Sequence, residues 1–392
     1  MTWSRRSRKS GVLQPEDEQA YVDFLDYSRD LFEKTSSPFL YNPLYEWRDL
    51  KEVNVADLAG IDALSTVSKR VDQYFSSEYL RKFFKRFATY NGSSPYQSPA
   101  TLNVIPHVEI NRGGFYVKGG LYRIAFALRK LAEKMKVEFN FNSRVTSITT
   151  KRRRATGIEF DDGSYRKYDL IVSNADAYET YRHLLPNNEV SPLKKMQLEN
   201  TEPSCSGFVL LLGIDRQYEQ LRHHNVFFSE NYEAEFDSIF NEKRPAGDPT
   251  IYIANTSHSD ADHAPRGGSN LFILVNAPYL SDSFDWSNEK EEYADLIKNK
   301  MENRGMENLR ESIEFEKIIT PADFYHLYRS NRGSIYGTSS NSRMAAFMRP
   351  ANKARGIDGL YLTGGSTHPG GGIPLVILSA RHAYELIKRY ER

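Results

Sequence analysis

The stretch that most constrains this chain is Gly359 to Ile387, GLYLTGGSTHPGGGIPLVILSARHAYELI, which sets a short apolar run, a glycine-rich turn and a helical pattern in consecutive positions. Leu360, Tyr361 and Leu362 read as a buried strand, and Gly364 and Gly365 end it where a side chain would block the close approach of another molecule. The chain then turns through Ser366 to Gly372. Pro374 suits a first helical turn, where its missing N–H leaves nothing unpaired. Ile373, Val376, Ile377, Ala380, Tyr384 and Ile387 recur at helical spacing and predict one apolar, core-facing stripe. The helix N-terminus points back into the glycines, and its free N–H groups and positive dipole end make a seat for an electron-rich carbonyl or a phosphate.

GGSTHPGGGIP followed by a helix resembles the C-terminal flavin-contacting segment of the carotenoid (phytoene and diapophytoene) desaturases. The resemblance extends over most of the chain, including RVTSI from Arg144, SNAD from Ser173 and NRGSIYG from Asn331. It implies an FAD-dependent oxidoreductase acting on a hydrophobic polyene. It also implies that Gly364, Gly365, Gly371, Gly372, Ile373 and Pro374 hold the ring end of FAD, that Asn174 and Ala175 pass beside the cofactor, and that Val145 meets its adenine end. His368 is the candidate for a catalytic acid or base because it lies in the glycine turn; a turn histidine packed by hydrogen bonds is the equal alternative.

The chain has 392 residues, 40% of them hydrophobic and 13% aromatic, enough to bury a large core in two domains. A net charge of +1 asks for no nucleic acid and no acidic partner. The single cysteine, Cys205, rules out an internal disulfide and a cysteine-rich metal site and fits a cytoplasmic setting. No apolar run reaches the roughly 18 residues of a membrane span, so membrane contact is expected to be peripheral. Trp3, Arg5, Arg6, Arg8 and Lys9 form a basic N-terminal stretch, either a solvated tail or a weak attraction to anionic lipid.

In chain order, helices are predicted over Glu16–Leu31, Asp57–Phe75 and Glu78–Phe87. Phe83, Phe84 and Phe87 read as core or, by the resemblance, as the lining of a tunnel mouth. Gly119 and Gly120 open a helix whose apolar face is Leu121, Ile124, Ala125, Leu128, Leu131 and Met135. Val137, Phe139 and Phe141 then alternate as a strand. Strands at Thr156–Phe160 and Tyr165–Tyr168 flank the turn Asp161–Gly163, and the basic run Lys151–Arg154 reads as a solvated turn. Asp169–Ser173 reads as a buried parallel strand, and Asn174, Ala175 and Asp176 sit at its carboxyl end, where open α/β sheets bind ligands. Capping of a helix starting near Ala177 explains Asn174 or Asp176 equally well.

From Leu185 to Arg343, strands at 206–213, 225–229, 250–255, 270–276 and 312–319 imply an antiparallel sheet, with one face for core and the other free to wall an apolar cavity. His223, His224, His258 and His263 fall into no recognised metal spacing, so no metal is expected.

The fold class expected is α/β (α+β overall): an incomplete FAD-binding Rossmann-like domain with an inserted antiparallel-sheet and helical substrate domain. Residues 1–104 are expected as the helical part of the substrate domain, 105–184 as a flavin-domain segment, 185–343 as the substrate sheet and 344–392 as the last flavin segment. The half is incomplete because no G-x-G-x-x-G occurs in the sequence. The expectation is therefore an N-terminally truncated carotenoid desaturase whose missing segment carries the pyrophosphate seat. Its alternatives are a related oxygenase, saturase or isomerase, or a catalytically silent fragment or partner chain. By the resemblance, reoxidation uses a quinone or oxygen, and the enzyme sits at the cytoplasmic membrane surface where its substrate dissolves.

Overall fold

The structure is a computed structural model that describes residues 15–46, 48–49, 60–342 and 349–391. The basic N-terminal stretch, Trp47 and the start of the helix expected from Asp57 lie outside the described residues. Two units are distinguished: Met1–Gly113, Arg144–Cys205 and Tyr328–Arg392 form the first, and Gly114–Ser143 with Ser206–Leu327 form the second. Gly114–Ser143, expected within the 105–184 flavin segment, thus makes its contacts in the second unit.

In the first unit, helix α1 (Pro15–Thr35) begins with Glu16, Asp17 and Glu18, whose charges complement the positive end of its dipole. It runs beyond the predicted Leu31 and widens into a π-turn at Ser36–Leu40. Helix α2 (Val67–Tyr74) is capped by the Thr66 hydroxyl, which accepts from the Lys69 N–H, and α3 (Glu78–Lys85) is capped in the same way by Ser77. These helices bury an aromatic cluster. Phe75 stacks on Phe84 at 4.8 Å between ring centroids, and Phe24 lies 4.6 Å from Phe84. Phe84 and Phe87 are therefore core.

Strands β1 (Val145–Lys151), β2 (Arg154–Phe160) and β3 (Tyr165–Lys167) form the expected antiparallel meander. Arg152 and Arg153 both take positive φ, the geometry of a two-residue hairpin turn matched to strand twist. That turn is not simply solvated, because Arg153 donates to the Gly356 carbonyl and Arg154 pairs with Glu391.

Strand β4 (Ile171–Ser173) pairs in parallel with β10 (Leu360–Leu362), register Ile171↔Leu360 through Ser173↔Leu362. β10 is fully buried, but Val172 of β4 is 48% exposed, which corrects the expectation of a strand buried on both faces. A sheet of two strands has too little width to cover both faces.

The C-terminal helix α6 (Ile373–Tyr390) forms as predicted but buries a different stripe. Its buried residues are Ser379, His382, Ala383 and Leu386, whereas Ile373, Ile377 and Tyr384 are about half exposed. Ala383 and Leu386 pack on Tyr361, and the two polar residues are satisfied by hydrogen bonds. A stripe defined by apolar residues alone misses a helix face that is partly polar and fully bonded.

The second unit holds a five-stranded antiparallel sheet of order β6-β7-β8-β5-β9, from β5 (Ser206–Ile214), β6 (His224–Phe227), β7 (Ile251–Asn255), β8 (Ser269–Ala277) and β9 (Ile313–Ile319). Phe208, Leu210 and Leu212 alternate onto one face, where helix α5 (Trp286–Asn303) supplies Trp286, Tyr293, Ile297 and Met301. The opposite face carries Leu211, Tyr252, Phe272 and Leu274, all short of full burial.

Helix α4 (Tyr122–Lys134) has no buried residue, and Leu121, Leu128, Leu131 and Met135 of the predicted apolar face are each more than half exposed. The strand expected at Val137–Phe141 does not form. Phe139 and Phe141 still stack on one side, with the Arg129 guanidinium over both rings. No described strand offers this segment a ladder, and without one an extended segment stays irregular.

Candidate cofactor site

The parallel pair β4 and β10 ends in register at Ser173 and Leu362, so both strands deliver their next loops to the same side of the first unit. β4 leads into Asn174–Asp176 and β10 into the glycine turn. Gly364 has φ +105, and a Cβ there would lie 2.5 Å from Asn174 Oδ1, so both backbone shape and close approach demand glycine. The loop Asn331–Gly337 closes the group: a Cβ on Gly337 would meet Ser366 Cα at 2.5 Å, and one on Gly371 would meet the Tyr336 ring at 2.8 Å. Ser366 Oγ accepts from the Ala177 N–H at 2.9 Å, which ties the turn to the residues after β4.

The SNAD, NRGSIYG and STHPGGG motifs therefore converge. Between them lies a small cleft lined among others by Asp176, Tyr178, Asn331, Thr338 and Ser366. Asp176 caps the helical turn after it by accepting from the Tyr178 N–H. Burial raises its carboxyl above the usual range, with backbone N–H groups acting the other way.

A buried polar network supports the turn from below. Ser379 Oγ accepts from the Gly364 N–H at 3.1 Å and from Asn352 Nδ2 at 2.9 Å, and it shares a hydrogen bond with Thr367 Oγ1. Asn352 Nδ2 also reaches the His368 carbonyl.

His368 precedes a cis peptide to Pro369 and is buried. Its Nε2 pairs with the Asn42 carbonyl at 2.9 Å, and its ring stacks on His382 at 5.3 Å, whose own Nε2 pairs with the Leu40 carbonyl. Burial, then the neighbouring His382, lowers His368 to about 4, and burial lowers His382 as well. Both imidazoles are neutral fasteners of residues 40–42.

Val145 starts β1 opposite Phe160, in the meander and not in the converging loops. Asn174, Gly364, Gly365, Gly371, Gly372, Ile373 and Pro374 do come together. Asn352, Ser379, His382 and the buried Arg349 were not singled out from sequence, since isolated polar residues near a motif carry no spacing signal.

The residues present fit the ring end of a flavin. No side chain caps the start of α6, and its first residues are exposed. A Cβ on Gly372 would meet nothing within 4 Å, so space stands open in front of unpaired helix N–H groups. For the diphosphate end, the sequence offers no glycine-rich loop of the required spacing. Among the described residues no cluster of three or more histidine, cysteine or carboxylate side chains is placed to hold a metal ion.

Such a seat at the carboxyl ends of parallel strands, joined to a separate antiparallel sheet, defines a flavoprotein oxidoreductase. Residues 2–387 match the flavin containing amine oxidoreductase family, and the chain belongs to it. It is an FAD-dependent oxidoreductase of the carotenoid-desaturase-like group. A 4,4'-diaponeurosporene oxygenase of Staphylococcus aureus is 34% identical over 384 residues, covering 97% of this chain and 77% of the relative. The fold is shared with an oxidoreductase from Methanosarcina mazei (TM-score 0.57, 16% identity, 89% of this chain and 74% of that one). It is shared equally with cyclohexylamine oxidase from Brevibacterium oxydans (TM-score 0.53, 11% identity, 94% and 75%).

Proposed function

We propose that this chain takes part in desaturating a long carotenoid-type polyene, removing hydrogen across a C–C single bond beside existing double bonds. The observation that carries this reading is the open, uncapped start of α6 facing the converged loops, in a chain with a carotenoid-enzyme relative. Bound FAD supplies the hydride acceptor. Gly364, Gly365 and Gly371 let the loops pack closely enough to form the seat, and Gly372, Ile373 and Pro374 would present the helix start to a ring carbonyl, where it would stabilise negative charge as it develops. Asn174 and Ala175 flank the same seat and Val145 takes the adenine end. The substrate's proton leaves to a nearby base or to water. The less covered sheet face of the second unit, with Leu211, Tyr252, Phe272 and Leu274, seats hydrocarbon and keeps water out.

The diphosphate end needs a strand, a G-x-G-x-x-G turn and a helix from a segment outside these 392 residues. Support comes from the exposed apolar face of α4, the unformed strand at Val137–Phe141 and the open side of β4, all surfaces that added sheet would cover. A polyene dissolves in the bilayer, and on that ground we place the enzyme at the membrane surface; among the described residues no helix is long and apolar enough to cross a membrane.

The name of the relative, a 4,4'-diaponeurosporene oxygenase, favours a second reading, oxygenation of the same class of substrate. Expression in a host that accumulates carotenoid precursors separates the two by product mass. Desaturation removes two hydrogens, oxygenation adds oxygen, and unchanged precursors from a chain that also releases no FAD on denaturation would sink both.

A further inference from the structure

Arg349 is 7% exposed, yet among the described residues no carboxylate lies within ion-pair distance of it. Its guanidinium donates only to neutral acceptors: the carbonyls of Tyr336, Gly365 and Thr338 at 3.3, 3.2 and 2.9 Å, and Asn91 Oδ1 at 2.8 Å. It lies under the glycine turn, since a Cβ on Gly370 would sit 3.4 Å from Arg349 Cζ. Gly370 is three residues before the first residue of α6, a chain length of at most about 11 Å. An arginine keeps its proton under these conditions, and burying a charge without a counter-charge costs several kcal/mol. Burial lowers Arg349 to about 10, with no carboxylate to offset it.

Resting on the flavin reading above, we propose that Arg349 is the fixed positive charge that sets the reduction potential of the bound flavin. Hydride delivery brings two electrons and one proton to the oxidised ring, which leaves one net negative charge until a second proton arrives. A permanent cation about 10 Å from the ring would, in a setting of effective dielectric near 20, favour that charge by about a factor of ten or more. Arg349 is a positioning and electrostatic residue in this account, since it touches the turn and not the reacting atoms. The competing role is purely structural: the fork holds Asn91, Tyr336, Thr338 and Gly365 together.

The test is the two-electron midpoint potential of FAD bound to the full chain, measured by dye equilibration for wild type, Arg349→Lys and Arg349→Met. Circular dichroism and thermal unfolding run in parallel. The expected result is a potential about 30 mV or more lower in the methionine variant, a tenfold change for a two-electron couple, with lysine close to wild type. If methionine unfolds the chain, Arg349→Gln replaces it, keeping donors and losing charge. Equal potentials in folded, FAD-loaded wild type and neutral variant would overturn the proposal, as would equal shifts in the lysine and neutral variants. A wild type that binds no FAD would overturn the flavin reading itself, and this inference with it.

Discussion

Two regions of this molecule are written with the same grammar and end differently. At 119–141 a glycine pair opens a helix with an apolar stripe and an alternating apolar run follows; at 360–390 an apolar strand precedes a glycine turn and a helix. The second is bonded on several sides, with β10 paired to β4 and Ser379, Asn352 and Thr367 fixing the turn. In the first, α4 buries no residue and Val137–Phe141 joins no sheet. Pattern selects the element, but a hydrogen-bonding neighbour decides whether the pattern is buried.

That contrast predicts its largest effect in core truncation. Leu386→Ala, at a fully buried position packed on Tyr361, should cost about 2–5 kcal/mol in denaturant unfolding. Leu131→Ala, on a side chain 55% exposed, should stay within about 0.5 kcal/mol. Equal losses would break the comparison.

Acid should act mainly on the C-terminal region. His368 is lowered to about 4 in the folded chain against about 6.5 unfolded, so between those values the unfolded state binds more protons. Stability should therefore fall as pH drops through 6.5 toward 4, by on the order of 3 kcal/mol in total from this group. An unfolding midpoint that is flat across that window would contradict the buried, neutral histidine pair.

Glycine substitutions sharpen the difference further. Gly364→Ala meets both a clash with Asn174 and a positive φ, and should cost about 1–3 kcal/mol. Gly120→Ala has φ +90 with its nearest neighbour, His263, at 3.5 Å, so only the backbone cost of about 1 kcal/mol remains. Thermal or denaturant unfolding of the two variants ranks them; the reverse order would show that the glycine turn is looser than its contacts indicate.

Much of the architecture was legible. The antiparallel sheet of the second unit follows from alternating runs such as Phe208, Leu210 and Leu212, and each predicted strand lies within a few residues of its observed place. The strand, turn and helix at the C-terminus were equally plain. What failed has two causes. Ser379, His382, Asn352 and Arg349 are buried through hydrogen bonds to residues distant in sequence, and apolar periodicity is blind to a face that is buried because it is polar and satisfied. The stripe of α6 was misassigned for that reason. Val137–Phe141 was misassigned for the converse reason, since alternation says nothing about whether a partner strand is there.

The central claim is that the open start of α6 seats the flavin ring, and Gly372 is where it is most exposed to test. A side chain there enters empty space without touching protein, and since φ +100 with ψ +145 is a backbone region essentially kept to glycine, circular dichroism and thermal unfolding of the variant run alongside the binding measurement. The decisive measurement is the FAD dissociation constant of the purified full chain for wild type and Gly372→Asn. The account predicts that wild type binds FAD measurably through its ring end alone and that the variant, still folded, binds about tenfold more weakly or worse, a loss of about 1.4 kcal/mol. Equal affinity in the two proteins, or no binding by wild type, would contradict it.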